Sequence, residues 1–478
     1  MNALTGLSVG ARALQARENC WLSQRALASD QQGAVFTAEQ LSARRNFKYI
    51  GKPVRTILRQ RPLRFIFIAN TVSMLGSGIN MAGVTWYILQ TTGSEMALGT
   101  LVVLQTIPAI LLLPFAGVII DREDRRRLVM LLDLFRCAVI LVVAVLVFRG
   151  QAQLWQIYLM ATLVGAGFWM FWPTITALIQ ELTPDTEFVH ANTFLLAAVQ
   201  GGWLMAGAVV GFIYNHVGLG GVLLIDAVTY VVSFLCYFAV RRGRVVVRPP
   251  DSPPNVRGSG PATAPKLRGT LARFLHELRE GITFLHRRPH VVLLGTSWAL
   301  FIGAMLTQGV ITAPLGDRVL HAGAVGYGWL NAGWAIGAFT SAWYAPVVIR
   351  ALASRRAVGV SMTLLAASLF LLPYSRWLAV AVALYALMGT GRGIGGVAIS
   401  SSMMEVVPRH FMGRVQNTFF FFGTCLQLAL GFIVGAVAHR VGLAWAFAIV
   451  GFVYLIAALT AVWPVAVPRG QPESTPAD

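Results

Sequence analysis

Charge is what this chain has least of. Only 12% of its 478 residues are Asp, Glu, Lys or Arg, against about a quarter in soluble proteins, which excludes a soluble globular protein of this length. Acids are scarcer still, since 19 Asp and Glu face 38 Lys and Arg for a net charge of +19. In a soluble domain that excess would point to nucleic acid. Here the basic residues gather at the ends of apolar runs and in two polar segments, so no nucleic acid is expected and anionic lipid headgroups are the fitting partner. The four cysteines, Cys20, Cys137, Cys236 and Cys425, are too scattered for a metal or redox motif and read as small apolar filler. The eight histidines fall in loops or at helix ends without a pair at ligand spacing. With no nucleophile, base and orienting group together, neither an enzyme, a metal nor a cofactor is expected.

Long apolar runs take the place of charge, and 56% of the residues are hydrophobic. Twelve runs, at about 63–90, 96–120, 128–148, 154–182, 191–214, 219–240, 291–315, 326–349, 357–373, 377–407, 413–439 and 442–463, are long enough to cross a bilayer, which takes about 17–25 residues. The fold class is therefore an all-α integral membrane protein. A polar extension at 1–61 lacks the continuous apolar core of a signal peptide and is expected to be cytoplasmic and disordered. A first six-helix bundle at 62–240 is followed by a cytoplasmic linker at 241–289, a second bundle at 290–464 and a tail at 465–478. The linker opens with Pro249, Pro250, Pro253, Pro254, Pro261 and Pro265 among Gly, Ser and Arg, a composition that cannot bury a core. It closes with an amphipathic segment, in which Leu271, Phe274, Leu275, Leu278, Ile282 and Leu285 recur at helical spacing opposite Arg273, Glu277 and Glu280; such a helix lies on a membrane surface. Arg122, Arg125, Arg126 and Arg127 stand in one short turn, and Arg350, Arg355 and Arg356 in another. Positive loops stay inside, so twelve spans with both termini cytoplasmic, in a bacterial inner membrane, satisfy the charge pattern.

The two halves repeat each other. Ala116-Gly-Val-Ile-Ile with Arg126-Arg127 matches Ala345-Pro-Val-Val-Ile with Arg355-Arg356, and Gly99-Thr-Leu matches Gly328-Trp-Leu at the same offset. Further on, Gly165-Ala-Gly and Glu181-Leu-Thr-Pro184 match Gly389-Thr-Gly and Glu405-Val-Val-Pro408, and Gly207 and Gly211 match Gly431 and Gly435. Ordered matches of this kind are the trace of a duplicated membrane protein, giving two parallel six-helix repeats.

The stretch Gly117-x-x-x-Asp121-Arg122-x-x-Arg125-Arg126 resembles the signature between the second and third spans of the major facilitator superfamily. Pro173–Pro184 with Ala191-Asn192, Leu278–Pro289 and Val407–Val415 are similar to its drug and siderophore exporter branch, the group of enterobactin exporters and macrolide efflux proteins. Two positions depart from the pattern: Asp124 stands where Gly is usual, and Gly207-Ala208 stands where antiporters carry Gly-Pro. The resemblance covers about 63–463. It implies that spans 1, 4, 7 and 10 line a central cavity and that the Asp121 turn, with Gly117, Arg122, Arg125 and Arg126, works as a cytoplasmic gate.

Candidate site residues follow from the cost of polarity inside a membrane. Asn70, Ser73, Ser77 and Asn80 share one face of span 1, Trp169, Trp172, Thr176 and Gln180 one face of span 4, and Ser297, Gln308 and Thr312 one face of span 7. These faces are expected to point inward and in part to touch substrate. Arg392 lies inside span 10 on a face with Tyr385 and Met388, and its repeat counterpart is Phe168, so the duplicated scaffold does not require it. It reads as a substrate contact for an anionic or acceptor-rich group, as the answer to a proton-carrying carboxylate, or as half of a buried structural pair. Glu181 and Glu405 occupy matching inner ends of spans 4 and 10 and are expected to pair with arginines of the adjacent turns as latches. Asp133 and Arg136, three residues apart, read as a local ion pair snorkelling to the interface. Asp226 and Asp133 are the candidates for carrying a proton.

With no nucleotide-binding loop, coupling to an ion gradient is expected. The reading is a monomeric secondary transporter that exports a hydrophobic or amphipathic small molecule, proton-coupled, by alternating access. Two alternatives stay open on sequence: a lipid or lysophospholipid carrier, and a membrane enzyme or sensor on a transporter-like fold.

Overall fold

The computed structural model describes residues 61–183, 185–240, 267–286, 288–407 and 411–463. The N-terminal extension before residue 61, the proline-rich part of the linker and the tail lie outside the described residues. Contacts divide the chain into Met1–Arg64, of which only the start of the first helix is described, and Phe65–Asp478. The architecture below belongs to the second unit.

Among the described residues the chain is helical, with no strand. The first four helices are α1 (Arg61–Thr92), α2 (Glu95–Arg122), α3 (Arg125–Phe148) and α4 (Leu154–Leu182). The 55-residue run Asp185–Ala239 is broken at Gly218, which has φ 63° and ψ −172°, a backbone state open to glycine without strain. The parts before and after it are α5 (185–217) and α6 (219–239). Then come α7 (Leu267–His286), α8 (Pro289–Met305), α9 (Gln308–Pro314), a π turn at Leu315–Val319, α10 (Gly323–Leu352), α11 (Ser354–Leu371), α12 (Leu378–Val406), α13 (Met412–Arg440) and α14 (Leu443–Val462).

Ten of these helices are long and apolar enough to cross a membrane, or eleven if Gly323–Ser341 and Trp343–Leu352, bent by 62°, form one span. In this stretch the apolar span is Val209–Ala239, which runs through Gly218, and the segment expected at 191–214 is not counted as a span of its own. The seventh span is α8, α9 and the π turn in series. It breaks where Gly309 and Val310 donate to the carbonyls of Leu306 and Thr307, three residues back instead of four.

The sequence repeat is also a repeat of contacts. In the first half α3 packs on α4 and on the α5–α6 run, and α2 on α4; in the second, α11 packs on α12 and α14, and α10 on α12. A Cβ on Gly165 would stand 2.9 Å from the Gln105 carbonyl oxygen, and Gly389 is pressed in the same way on the Trp334 carbonyl. Gln105 and Trp334 keep the offset that relates Gly99 to Gly328. Equivalent arginines make equivalent caps as well. Arg126 donates from Nε to the Tyr237 carbonyl (2.7 Å) and from Nη2 to that of Phe238 (2.6 Å), while Arg355 donates to Ala461 (3.3 Å) and Trp463 (3.4 Å). Each arginine meets the carbonyl-rich end of the last helix of its own half, where a cation is favoured.

The amphipathic helix α7 lies against the start of α13. Phe284 stacks on Phe411 with ring centroids 4.5 Å apart, and Glu280 is 3.4 Å from the Arg414 guanidinium. Leu275 and Ile282 remain 53% and 45% exposed. One flank of α7 thus covers protein and leaves Leu275 and Ile282 exposed on another.

Candidate functional site

The first half buries a polar cluster between α1, α3, α4 and α6. Asn70 donates to the Tyr237 hydroxyl (2.9 Å), the Ser77 and Tyr230 hydroxyls are 2.9 Å apart, and Asn80 donates to Oδ2 of Asp226 (2.6 Å). Ser73 is fully buried. The polar face of α1 that carries Asn70, Ser73, Ser77 and Asn80 is therefore turned towards α6 of its own half. Polar groups in a membrane protein need partners as much as they need water, and α6 supplies them to Asn70 Nδ2, Ser77 and Asn80, while the Ser73 hydroxyl has none.

Asp133 and Arg136 of α3 sit deeper in the same cluster. The Arg136 guanidinium is 2.5 Å from Oδ1 of Asp133, and both side chains have 0% exposure. Ser233 donates to the other carboxylate oxygen at 2.6 Å. The guanidinium is sandwiched between the rings of Phe171 (4.6 Å) and Tyr230 (4.4 Å), within cation–π range. The local pair forms as expected, but it is enclosed instead of snorkelling to the interface, because α4 and α6 close over it. The cluster holds two carboxylates, Asp133 and Asp226, and one guanidinium, so full ionisation would leave one uncompensated negative charge away from water, which is costly.

The two halves meet along seams at the end of the bundle away from the arginine turn. On one seam Gly99 of α2 lies against Gly431 and Gly435 of α13; a Cβ on it would stand 3.2 Å from the Gly435 Cα. On the other, a Cβ on Gly211 of α5 would stand 2.6 Å from the Gly328 Cα of α10. These are the glycine pairs that the repeat relates to each other. Gln427 donates to Thr106 at 2.7 Å farther along the first seam, and Trp86 stacks on Tyr327 at 5.8 Å. Glu95, at the start of α2 and only 1% exposed, pins this end. Its carboxylate pairs with Arg318, which also donates to the Gly93 carbonyl, and lies 3.6 Å from His439. The π turn at Leu315–Val319 carries Arg318 to that position, in keeping with the use of π segments at functional places. Sequence reasoning missed Glu95; its one signal was an acid in the first turn of a helix, which reads equally well as a dipole partner.

In the second half Arg392 stands midway along α12. Its guanidinium carbon lies 5.7 Å from the ring of Phe301 and 5.5 Å from that of Trp334, and its buried Nε has no hydrogen-bond partner. Among the described residues no carboxylate is paired with it. Around it Gln308 donates to the Tyr454 hydroxyl (2.9 Å) and Tyr385 donates to Thr312 (2.8 Å), so Gln308 and Tyr385 are engaged within their own half. On α4, the Trp169 indole donates to the Gln105 carbonyl (3.2 Å) and meets Phe420 of the other half edge-on at 5.8 Å. Trp172 and Thr176 are half-buried and Gln180 is exposed on the same face.

The expected latches resolve differently. Glu181 lies 3.7 Å from Arg125, whereas Glu405 accepts from Ser354 at 2.8 Å. Each contact stays inside one half, since Arg125 and Glu181 flank α3 and α4, so neither ties the halves together. Arg126, which caps α6, is likewise engaged inside its own half. Gly117, Asp121 and Arg122 fall on the last turns of α2, but their side chains lie outside the described residues.

The model of the Major Facilitator Superfamily matches residues 66–424. The chain is 22% identical over 389 residues to macrolide efflux protein A of Streptococcus pyogenes, covering 79% of this chain and 89% of that one. It is 24% identical over 427 residues to the multidrug efflux pump Tap of Mycolicibacterium fortuitum, covering 85% and 97%. Its fold superposes on the crystal structure of the nucleoside transporter NupG with a TM-score of 0.64 at 12% identity, over 84% of this chain and 98% of that one. The sealed pair of duplicated helical halves and the family match agree, and the chain belongs to the major facilitator superfamily as a multi-pass membrane transporter and not an enzyme.

Proposed function

We propose that the protein exports a hydrophobic or amphipathic small molecule across a bacterial inner membrane, by alternating access coupled to protons. The observation that carries this reading is the pair of repeat-related glycine seams closed by Glu95, Arg318 and His439 at one end. Two such seams let the halves rock as bodies about a central site. Both relatives named above are efflux proteins by name, which supports the outward direction. The face of α4 bearing Trp169, Trp172, Thr176 and Gln180, with Gln308 and Arg392 opposite, is the proposed cargo surface; aromatic area with few polar groups suits a bulky amphipath. The arginine turns Arg125–Arg127 and Arg355–Arg356 face the cytoplasm by the positive-inside rule, which puts the Glu95 seal on the outer side and both ends of the chain inside.

Asp226 is the proposed proton carrier. Taking up a proton removes the excess charge of the Asp133, Arg136 and Asp226 cluster, and its bond to Asn80 of α1 links that event to a helix of the cavity wall. The test is transport in proteoliposomes with an imposed pH gradient. Asp226→Asn is expected to abolish gradient-driven accumulation of an exported dye while leaving exchange of labelled for unlabelled dye intact. Loss of both, with the fold retained, would place Asp226 in the scaffold; undiminished accumulation would remove it from coupling.

A further inference from the structure

Among the described residues, Arg392 is the intramembrane charge that neither the scaffold nor the proton cluster uses. It stands fourteen residues from each end of α12, Leu378 and Val406, so at about 1.5 Å per residue it lies near the middle of the bilayer. A guanidinium there is costly unless something answers it. Arg136 in the first half is better answered, with a carboxylate at 2.5 Å and two aromatic rings at closer range, although its buried Nη1 also lacks a hydrogen-bond partner. Arg392 has the rings of Phe301 and Trp334 at longer range, no carboxylate among the described residues and an unpartnered buried Nε. The nearby Gln308 and Tyr385 donate to Tyr454 and Thr312, and among the described residues neither is hydrogen-bonded to the guanidinium. The repeat position Phe168 is apolar, so the charge is not inherited from the fold.

We infer that Arg392 is the counter-charge for an anionic group on the cargo, so that the substrate class is an amphipath carrying a carboxylate, sulfonate or similar anion beside an aromatic or apolar body. The planar guanidinium offers a bidentate fork to such a group, and the flanking Phe301 and Trp334 rings accept the apolar part. Like-charge repulsion in the same place disfavours a cationic amphipath. This rests on the export reading, which it narrows.

The test uses the full-length protein in proteoliposomes with an imposed pH gradient and three fluorescent probes. They are 8-anilinonaphthalene-1-sulfonate, its uncharged parent N-phenyl-1-naphthylamine, and cationic rhodamine 6G. The wild type is expected to favour the sulfonate over the neutral parent. Arg392→Gln should lower that ratio about tenfold or more, the scale of losing a charged hydrogen-bond partner, while Arg392→Lys keeps part of it. Because the ratio is taken within one preparation, a loss of folded protein cancels from it. An unchanged ratio in Arg392→Gln, or a wild type that moves rhodamine 6G in preference to the sulfonate, overturns the anion assignment and leaves export standing. A wild type that moves none of the three overturns export of amphipaths and this inference with it.

Discussion

Asp133 and Arg136 are joined by 2.5 Å inside a membrane domain and are wholly enclosed, so their value lies less in attraction than in mutual cover. A buried pair gains little over an apolar replacement, whereas a lone buried ion left by removing one partner costs about 3–5 kcal/mol. Asp133→Leu is therefore expected to lower stability by about that amount, and the double variant Asp133→Leu with Arg136→Met to lose distinctly less than the sum of the two single changes. Thermal or denaturant unfolding in detergent measures the cycle, and strict additivity would show that the two side chains do not act as a unit. Ser233, Tyr230 and Phe171 complete the enclosure. None of them stands out in the sequence, because a serine, a tyrosine and a phenylalanine are ordinary in a transmembrane helix. What makes them a site is that α4 and α6 bring them to α3.

At the level of helices, the glycines of the repeat find their meaning in pairs. Gly99 faces Gly431 and Gly435, and Gly211 faces Gly328, so backbones approach across the boundary between halves as small residues allow. Gly99→Leu is expected to strain the closed seam by about 1–3 kcal/mol, the usual cost of overpacking, which shifts a two-state population by about 5- to 150-fold. The seal should open at that end. Labelling of a cysteine placed at Thr106 by a membrane-impermeant thiol reagent reads the change, and unchanged labelling would mean that the seam is not the closing surface. The signature arginine Arg126 is engaged within its own half. It caps the carbonyl end of α6, and Arg355 repeats that cap at the end of α14.

For the molecule as a whole, the contacts that can report alternation are those between halves. Glu95 of α2, Arg318 after α9 and His439 of α13 come from both halves, so a covalent link there should lock the carrier. Oxidation of the double variant Glu95→Cys with His439→Cys, with the native cysteines replaced by serine, is expected to stop transport, and reduction to restore it. Activity that persists after complete cross-linking would exclude opening at this end from the cycle.

Composition and periodicity determined the helical membrane class, the repeat and the family signature, because lipid allows only apolar surfaces and self-satisfied backbones and duplication leaves matching residues in order. The amphipathic face of α7 was equally legible, since helical spacing alone sets it. The faces of the inner helices were not. The stripe from Asn70 to Asn80 was visible, yet a polar face inside a membrane protein fits a cavity and a neighbouring helix equally well, and only the packing of α6 against α1 decided for the neighbour. In the same way Glu95 became a seal only when the fold brought Arg318 and His439 to it from more distant parts of the chain. Local pattern fixes what each helix must hide; which partner hides it is decided by contacts that no stretch of sequence contains.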